Sequence, residues 1–129
     1  MKLGQSAAMF AAGAAWSTVG LRPAGRVLCD GLASNDETVR TIAGILLVRA
    51  GARSRQLLSD ALAGAAPGDV PMLLRILGEL GEAASDPQIE RYTHNSDPEI
   101  AQAARDALRA AEFARQDRMK KDPLNNDGR

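Results

Sequence analysis

Few of the 129 residues carry side chains able to do chemistry. Catalysis by protein groups alone needs a nucleophile with its base, paired carboxylates or a set of metal ligands. The chain has one histidine, His94, and one cysteine, Cys29. His94 falls in Tyr92-Thr-His-Asn at the expected end of a helix, where an imidazole is favoured by the negative end of the helix dipole. Cys29 lies beside Leu28 and Leu32 with no histidine or paired base near it in sequence, so it reads as a small buried hydrophobe and not as a thiolate. No His-x-x-x-His or Cys-x-x-Cys spacing occurs, and no Gly-rich loop follows a strand, so neither a metal nor a phosphate-bearing cofactor is expected. Glu79, Glu82, Asp86 and Glu90 form a small acidic region whose ordinary reading is a solvated face. The expectation is a protein that is not an enzyme.

Arginines are the better candidates for binding. Arg40 heads one expected helix, and Arg49, Arg53 and Arg55 surround its exit, so that one edge would present guanidinium forks to a partner's carboxylates or phosphates. Nucleic acid is not the expected partner. Lys plus Arg and Asp plus Glu balance at 16 each, no broad basic stripe forms, and aromatic residues are only 3% of the chain, too few to interleave with bases. The balance is uneven along the chain: residues 1–64 hold 7 basic and 4 acidic side chains, residues 65–96 hold 2 and 5, and residues 97–129 hold 7 each. A single cysteine excludes an internal disulfide and is compatible with a reducing compartment.

The elements that must position these groups read as helices throughout. Ala and Leu dominate the apolar set, which suits close helix packing. The clearest helix runs over residues 34–51. Ser34 and Glu37 have the spacing of a capping box, Val39, Ile42, Ala43, Leu46, Leu47 and Ala50 recur on one face, and Gly51 is a natural stop. Before it, a helix is expected over about 24–33 with Val27, Leu28 and Leu32 inward. After it come a helix over 53–64 with Leu57, Leu58, Ala61 and Leu62 inward, then one over 70–81 capped by Asp69. The latter is apolar nearly all round, leaving only Arg75 and Glu79 as evident surface, so it belongs at the centre. Further helices open at Ser85-Asp-Pro-Gln88, with Ile89 and Tyr92 inward, and at Ser96-Asp-Pro-Glu99. The last carries Ile100, Ala103, Ala104, Ala107, Leu108 and Ala111 and extends to about Lys121, before a polar tail from Asp122.

Residues 3–21 hold no formal charge over 19 positions, nearly the length of a membrane span. Three readings stand: a first helix packed on the array, an uncleaved anchor, or a removable signal peptide. Arg22 and Arg26 beyond the segment, against Lys2 before it, would keep the following domain in the cytoplasm. Small residues four apart at Ala7, Ala11 and Ala15, and at Gly4, Ala8 and Ala12, offer a face for close helix approach. The expected division is thus 1–22 as an uncharged packing or anchoring helix, 23–115 as one repeat domain, and 116–129 as a charged helix end and flexible tail.

A repeat emerges when the helix starts are superposed. Asp36, Val39, Ala43 and Leu47 match Asp97, Ile100, Ala104 and Leu108 at a shift of 61, and Asp69, Met72, Ile76 and Leu80 fit the same frame at a shift of 33. Asp36, Val39, Arg40 and Ala43 complete an Asp-x-x-Val-Arg-x-x-Ala pattern; Ala101 and Leu73 stand in the Arg place of the other copies. Over about residues 24–115 the chain resembles the short HEAT-like repeats of the phycobilisome-lyase type. The resemblance implies a short right-handed α-solenoid of about three helical hairpins plus an extra N-terminal helix. It also implies that Arg40 pairs with the Asp of a neighbouring turn, here Asp69 or Asp30. For function it implies a non-enzymatic adaptor or scaffold that binds a protein partner, in the cytoplasm. The alternatives are an accessory subunit held to a membrane on its cytoplasmic side through residues 3–21, or a lyase-like accessory protein with a small-ligand pocket lined by Cys29, Tyr92 or His94.

Overall fold

The computed structural model describes residues 3–19 and 22–121. The chain is all-helical, with seven α-helices and no strand among the described residues. They are α1 (Leu3–Val19), α2 (Arg22–Leu32), α3 (Glu37–Arg49), α4 (Arg53–Ala63), α5 (Val70–Leu80), α6 (Asp86–Tyr92) and α7 (Pro98–Lys121). The tail expected from Asp122 onward, like Lys2, lies outside the described residues.

Helix starts follow two designs. At α3 the cap is Asp36, not Ser34: its backbone is extended, and its carboxylate accepts the amides of Thr38 at 2.8 Å and Val39 at 3.3 Å. The Ser34 hydroxyl instead accepts the Asp36 amide at 3.1 Å. A carboxylate at the helix N-terminus is the stronger acceptor and also meets the positive end of the dipole. The expected Ser34–Glu37 box therefore yields to a cap two residues later. The start of α7 repeats this device, with the Asn95 side chain accepting the Asp97 amide and Asp97 accepting the Glu99 amide, both at 2.9 Å. By contrast α5 and α6 are entered through single 3₁₀ turns, Pro67–Asp69 and Ala83–Ser85. Asp69 and Ser85 occupy cap positions but already have helical backbones, and neither side chain caps. Pro71 and Pro87 fall in the first turns, where a missing amide removes no helical hydrogen bond.

The helices join in an ordered series. α1 packs on α2 and α3, α2 on α3 and α4, α5 on α3, α4 and α7, and α6 on α7. At α5 the sequence expectation holds: Leu73, Leu74, Ile76, Leu77 and Leu80 are all buried. Its widest interface is with α7, and it depends on Gly78, where a Cβ would stand 2.6 Å from the Ala107 carbonyl oxygen. α5 ends at Gly81 in the left-handed region at φ 66°, whose amide closes on Leu77 and Gly78 carbonyls. Only glycine takes that backbone without penalty.

Three inward expectations change. Val27 is 42% exposed, because Ala24, Leu28, Gly31 and Leu32 supply the buried face of α2. Met72 is half-buried at a groove, and the core places next to it go to Leu73 and Leu74. On α1, Ala8 and Ala11 are exposed, so the small-residue rows are not buried along their length; Met9, Ala12, Gly13 and Trp16 form the buried face, with Ala15 partly buried beside them. No helix among the described residues is long and apolar enough to cross a membrane. Within residues 3–21, α1 packs on α2 and α3 and buries Trp16.

Candidate functional site

Arg40, Arg49, Arg53 and Arg55 do not form one cluster. Arg49, Arg53 and Arg55 flank the α3–α4 turn, while Arg40 sits nine residues back, about 13 Å along the helix axis at 1.5 Å per residue. Arg40 is half-buried and donates to the Ser34 carbonyl at 2.7 Å, fixing the loop that leads into α3. It pairs with neither Asp69 nor Asp30; the backbone carbonyl at its own helix start is nearer and already fixed in place. Arg53 donates to the Trp16 carbonyl at 3.4 Å, and Arg55 to the Gln56 side chain at 3.3 Å. Arg49 and Arg53 stand exposed beside the turn.

The edge at this turn is held rigid from below. Ser54, wholly buried at the start of α4, accepts the Trp16 indole N–H at 2.8 Å and donates to the Leu47 carbonyl at 2.8 Å. One hydroxyl thus joins α1, α3 and α4. Local sequence reading misses this pair because its members are 38 positions apart.

A second surface lies between α3 and α5, an open groove of about 370 Å³ bordered by Glu37, Arg40, Ile45, Arg75 and Glu79. Ile45 is 52% exposed there. In sequence it gave no signal, since it falls off the apolar stripe of α3.

The acidic region dissolves into separate structural pairs. Asp86 takes both guanidinium nitrogens of Arg115 at 3.1 and 3.2 Å, and Glu82 meets Arg118 at 3.3 Å. Arg118 also donates to the Gly81 carbonyl at 2.7 Å. These contacts tie the last turns of α7 to the α5–α6 connection. Glu79 and Glu90 remain exposed and apart from them. Among the described residues no group of three His, Cys, Asp or Glu side chains is placed to hold a metal.

Cys29 borders a cleft of about 180 Å³ between α2, α4 and α5, with Asp30 and Asp69 also among its lining residues. Tyr92 and His94 are not among its walls. Burial, reinforced by the Asp30 carboxylate, pushes the Cys29 thiol up to about 11. A thiol with a raised pKa is protonated, hence a poor nucleophile, at every pH below that value. Iodoacetamide labelling of the folded chain is expected to be at least ~10-fold slower at pH 8 than in urea, where the unfolded thiol titrates near its ordinary value. The folded rate should climb only as the pH rises past the ordinary thiol range toward 11. Equal rates in both states would refute the burial.

The chain matches no family model, no curated protein and no solved structure. The reading of its role therefore rests on the residues and their geometry.

Proposed function

We propose that the chain is a non-enzymatic HEAT-like adaptor that binds a protein partner along the Arg49–Arg53–Arg55 edge and the adjoining helices. In this reading α2–α3, α4–α5 and α6–α7 are three hairpins stacked as a short right-handed solenoid, with α1 covering the first. The observation that carries it is the shared frame of α3, α5 and α7. Ala43, Ile76 and Ala104 occupy equivalent positions and are all buried; one turn earlier Val39 and Ile100 are buried and their equivalent Met72 is half-buried. Neighbours also meet in register: Gly44 faces Ile76, while Gly78 faces Ala107. Cross-links between successive hairpins support the stacking, notably Ser59 and Gln88, which exchange bonds at 2.6 and 3.0 Å between α4 and α6. Extended faces of such arrays bind by shape, with charged edges setting register.

The test is an affinity capture with the wild-type chain and an Arg53→Glu/Arg55→Glu variant, followed by titration of the captured protein against both. A saturable partner whose affinity falls at least ~10-fold on reversal supports the edge, because reversing two rim charges replaces attraction with repulsion. Equal affinity for both chains rejects the edge, and absence of any saturable partner rejects the adaptor.

A further inference from the structure

We infer that the α3–α5 face is a self-complementary surface that pairs two copies of this chain about a two-fold axis level with Ile45. This goes beyond the adaptor reading and does not depend on it.

Four charges surround the exposed Ile45 without being neutralised within the chain. Glu37, Arg49, Arg75 and Glu79 are all exposed, and none has an ion pair or side-chain hydrogen bond among the described residues. Arg75 and Glu79 are spaced i, i+4, yet they do not close on each other; the basic-before-acidic order is the weaker one on a helix. By comparison, the acid-before-base pairs Asp106–Arg109 and Asp117–Lys121 on α7 do close. A single exposed isoleucine is ordinary. Exposed acids and bases placed on both sides of it, Arg75 and Glu79 above all, offer a partner of complementary charge a defined pattern.

Their arrangement specifies which partner. On α3 the exposed positions Glu37, Thr41, Ile45 and Arg49 follow one another at four-residue steps along a single ridge. α3 and α5 run in the same direction, since Gly44 lies against Ile76 while Val48 and Gly51 share a cleft with Leu80 further along. Arg75 and Glu79 therefore straddle the level of Ile45. A two-fold axis at that level, lying in the contact plane and across the helices, reverses each helix against its copy. Arg75 then meets the second copy's Glu79, and Glu79 the second copy's Arg75. Thr41 comes opposite Arg49, and Glu37 opposite the Arg49–Arg53 end. Ile45 packs on its own equivalent. One operation thus pairs Arg75 and Glu79 with their opposites twice over and stacks Ile45 on itself, the reciprocity an isologous interface requires.

Sedimentation of the full chain over about 1–100 μM, the range in which a modest interface shows itself, tests this. The wild type should dimerise reversibly. Ile45→Glu, Arg75→Glu and Glu79→Arg should each weaken association at least ~10-fold while helix content by circular dichroism is kept, because each puts like charges or a buried acid at the contact. Arg75→Glu chains present two acids and Glu79→Arg chains two bases. Mixing the two single variants should therefore restore a dimer within about threefold of the wild-type affinity, a rescue that misfolded variants would not give. A wild type that stays monomeric, a dimer indifferent to the single reversals, or a mixture that fails to associate would each overturn the inference. The two surfaces share Arg49 and Arg53, but the variants at Ile45, Arg75 and Glu79 keep the Arg53 and Arg55 side chains that the adaptor test reverses, so failure here leaves that test undisturbed.

Discussion

Gly78→Ala is expected to destabilise the fold by about 2–3 kcal/mol, although alanine in place of an internal helical glycine ordinarily gains up to ~1 kcal/mol. The reason lies across the α5–α7 interface. A Cβ at this position would stand 2.6 Å from the Ala107 oxygen and 2.7 Å from its Cα. Both are backbone atoms of the longest helix, so no side-chain rotation relieves the overlap. The two helices must separate, and the packing of Leu74, Leu77, Ala104 and Ala107 loosens with them; all four are at most 1% exposed. Gly44→Ala provides the internal contrast. A Cβ there would meet only the Ile76 Cδ1 at 3.6 Å and the Leu32 Cδ2 at 3.8 Å, ordinary contact distances. That substitution should therefore be neutral or raise stability by up to ~1 kcal/mol. Urea unfolding of both variants at one protein concentration decides the matter: opposite signs are expected, and a Gly78→Ala chain as stable as the wild type would mean that α5 and α7 do not approach this closely.

The same contrast shows why much of the fold was legible and some of it was not. Periodicity reports which face of a helix is buried, so Val39, Ala43 and Leu47 on α3, and Ile100, Ala104 and Ala107 on α7, could be read from spacing alone. The central place of α5 followed from its having almost no polar side. Spacing does not report how near two backbones come, so Gly78 carried no signal distinct from that of any helical glycine. Caps failed for a related reason. Ser34-Asn-Asp-Glu37 contains two candidate caps, and the box pattern favours Ser34, whereas the carboxylate of Asp36 is the acceptor that the first free amides reach. The arginines illustrate the limit for the candidate site. Their nearness in sequence suggested one edge, but a helix carries Arg40 and Arg49 to opposite ends. The charges that complete the α3–α5 face, Arg75 and Glu79, belong to a helix read chiefly for its apolar residues.

Ser54→Ala should cost about 2–4 kcal/mol, far more than the loss of one hydroxyl at a surface, because it strands two buried groups at once. The Leu47 carbonyl belongs to the last turn of α3, and the Gly51 amide that would complete its helical bond is turned to Val48 at 3.0 Å. Ser54 supplies the missing donor, and its oxygen in turn takes the indole N–H of Trp16. Alanine leaves that carbonyl and that N–H unsatisfied in a dry interior. Trp16→Phe removes the donor but leaves the Ser54–Leu47 bond intact, so its cost arises from lost aromatic area and should be smaller, about 1–2 kcal/mol. The double variant should then cost less than the sum of the two by about 1 kcal/mol, since once the indole is gone Ser54→Ala strands one group instead of two. Trp16 is the only tryptophan, so its emission reads the seating of α1 directly. In Ser54→Ala the emission should shift to longer wavelength at denaturant concentrations below the main helical transition, as α1 lifts from α3 and α4 before the rest unfolds. A variant whose fluorescence and circular dichroism transitions coincide at wild-type stability would show that the hydroxyl does not hold these three helices together.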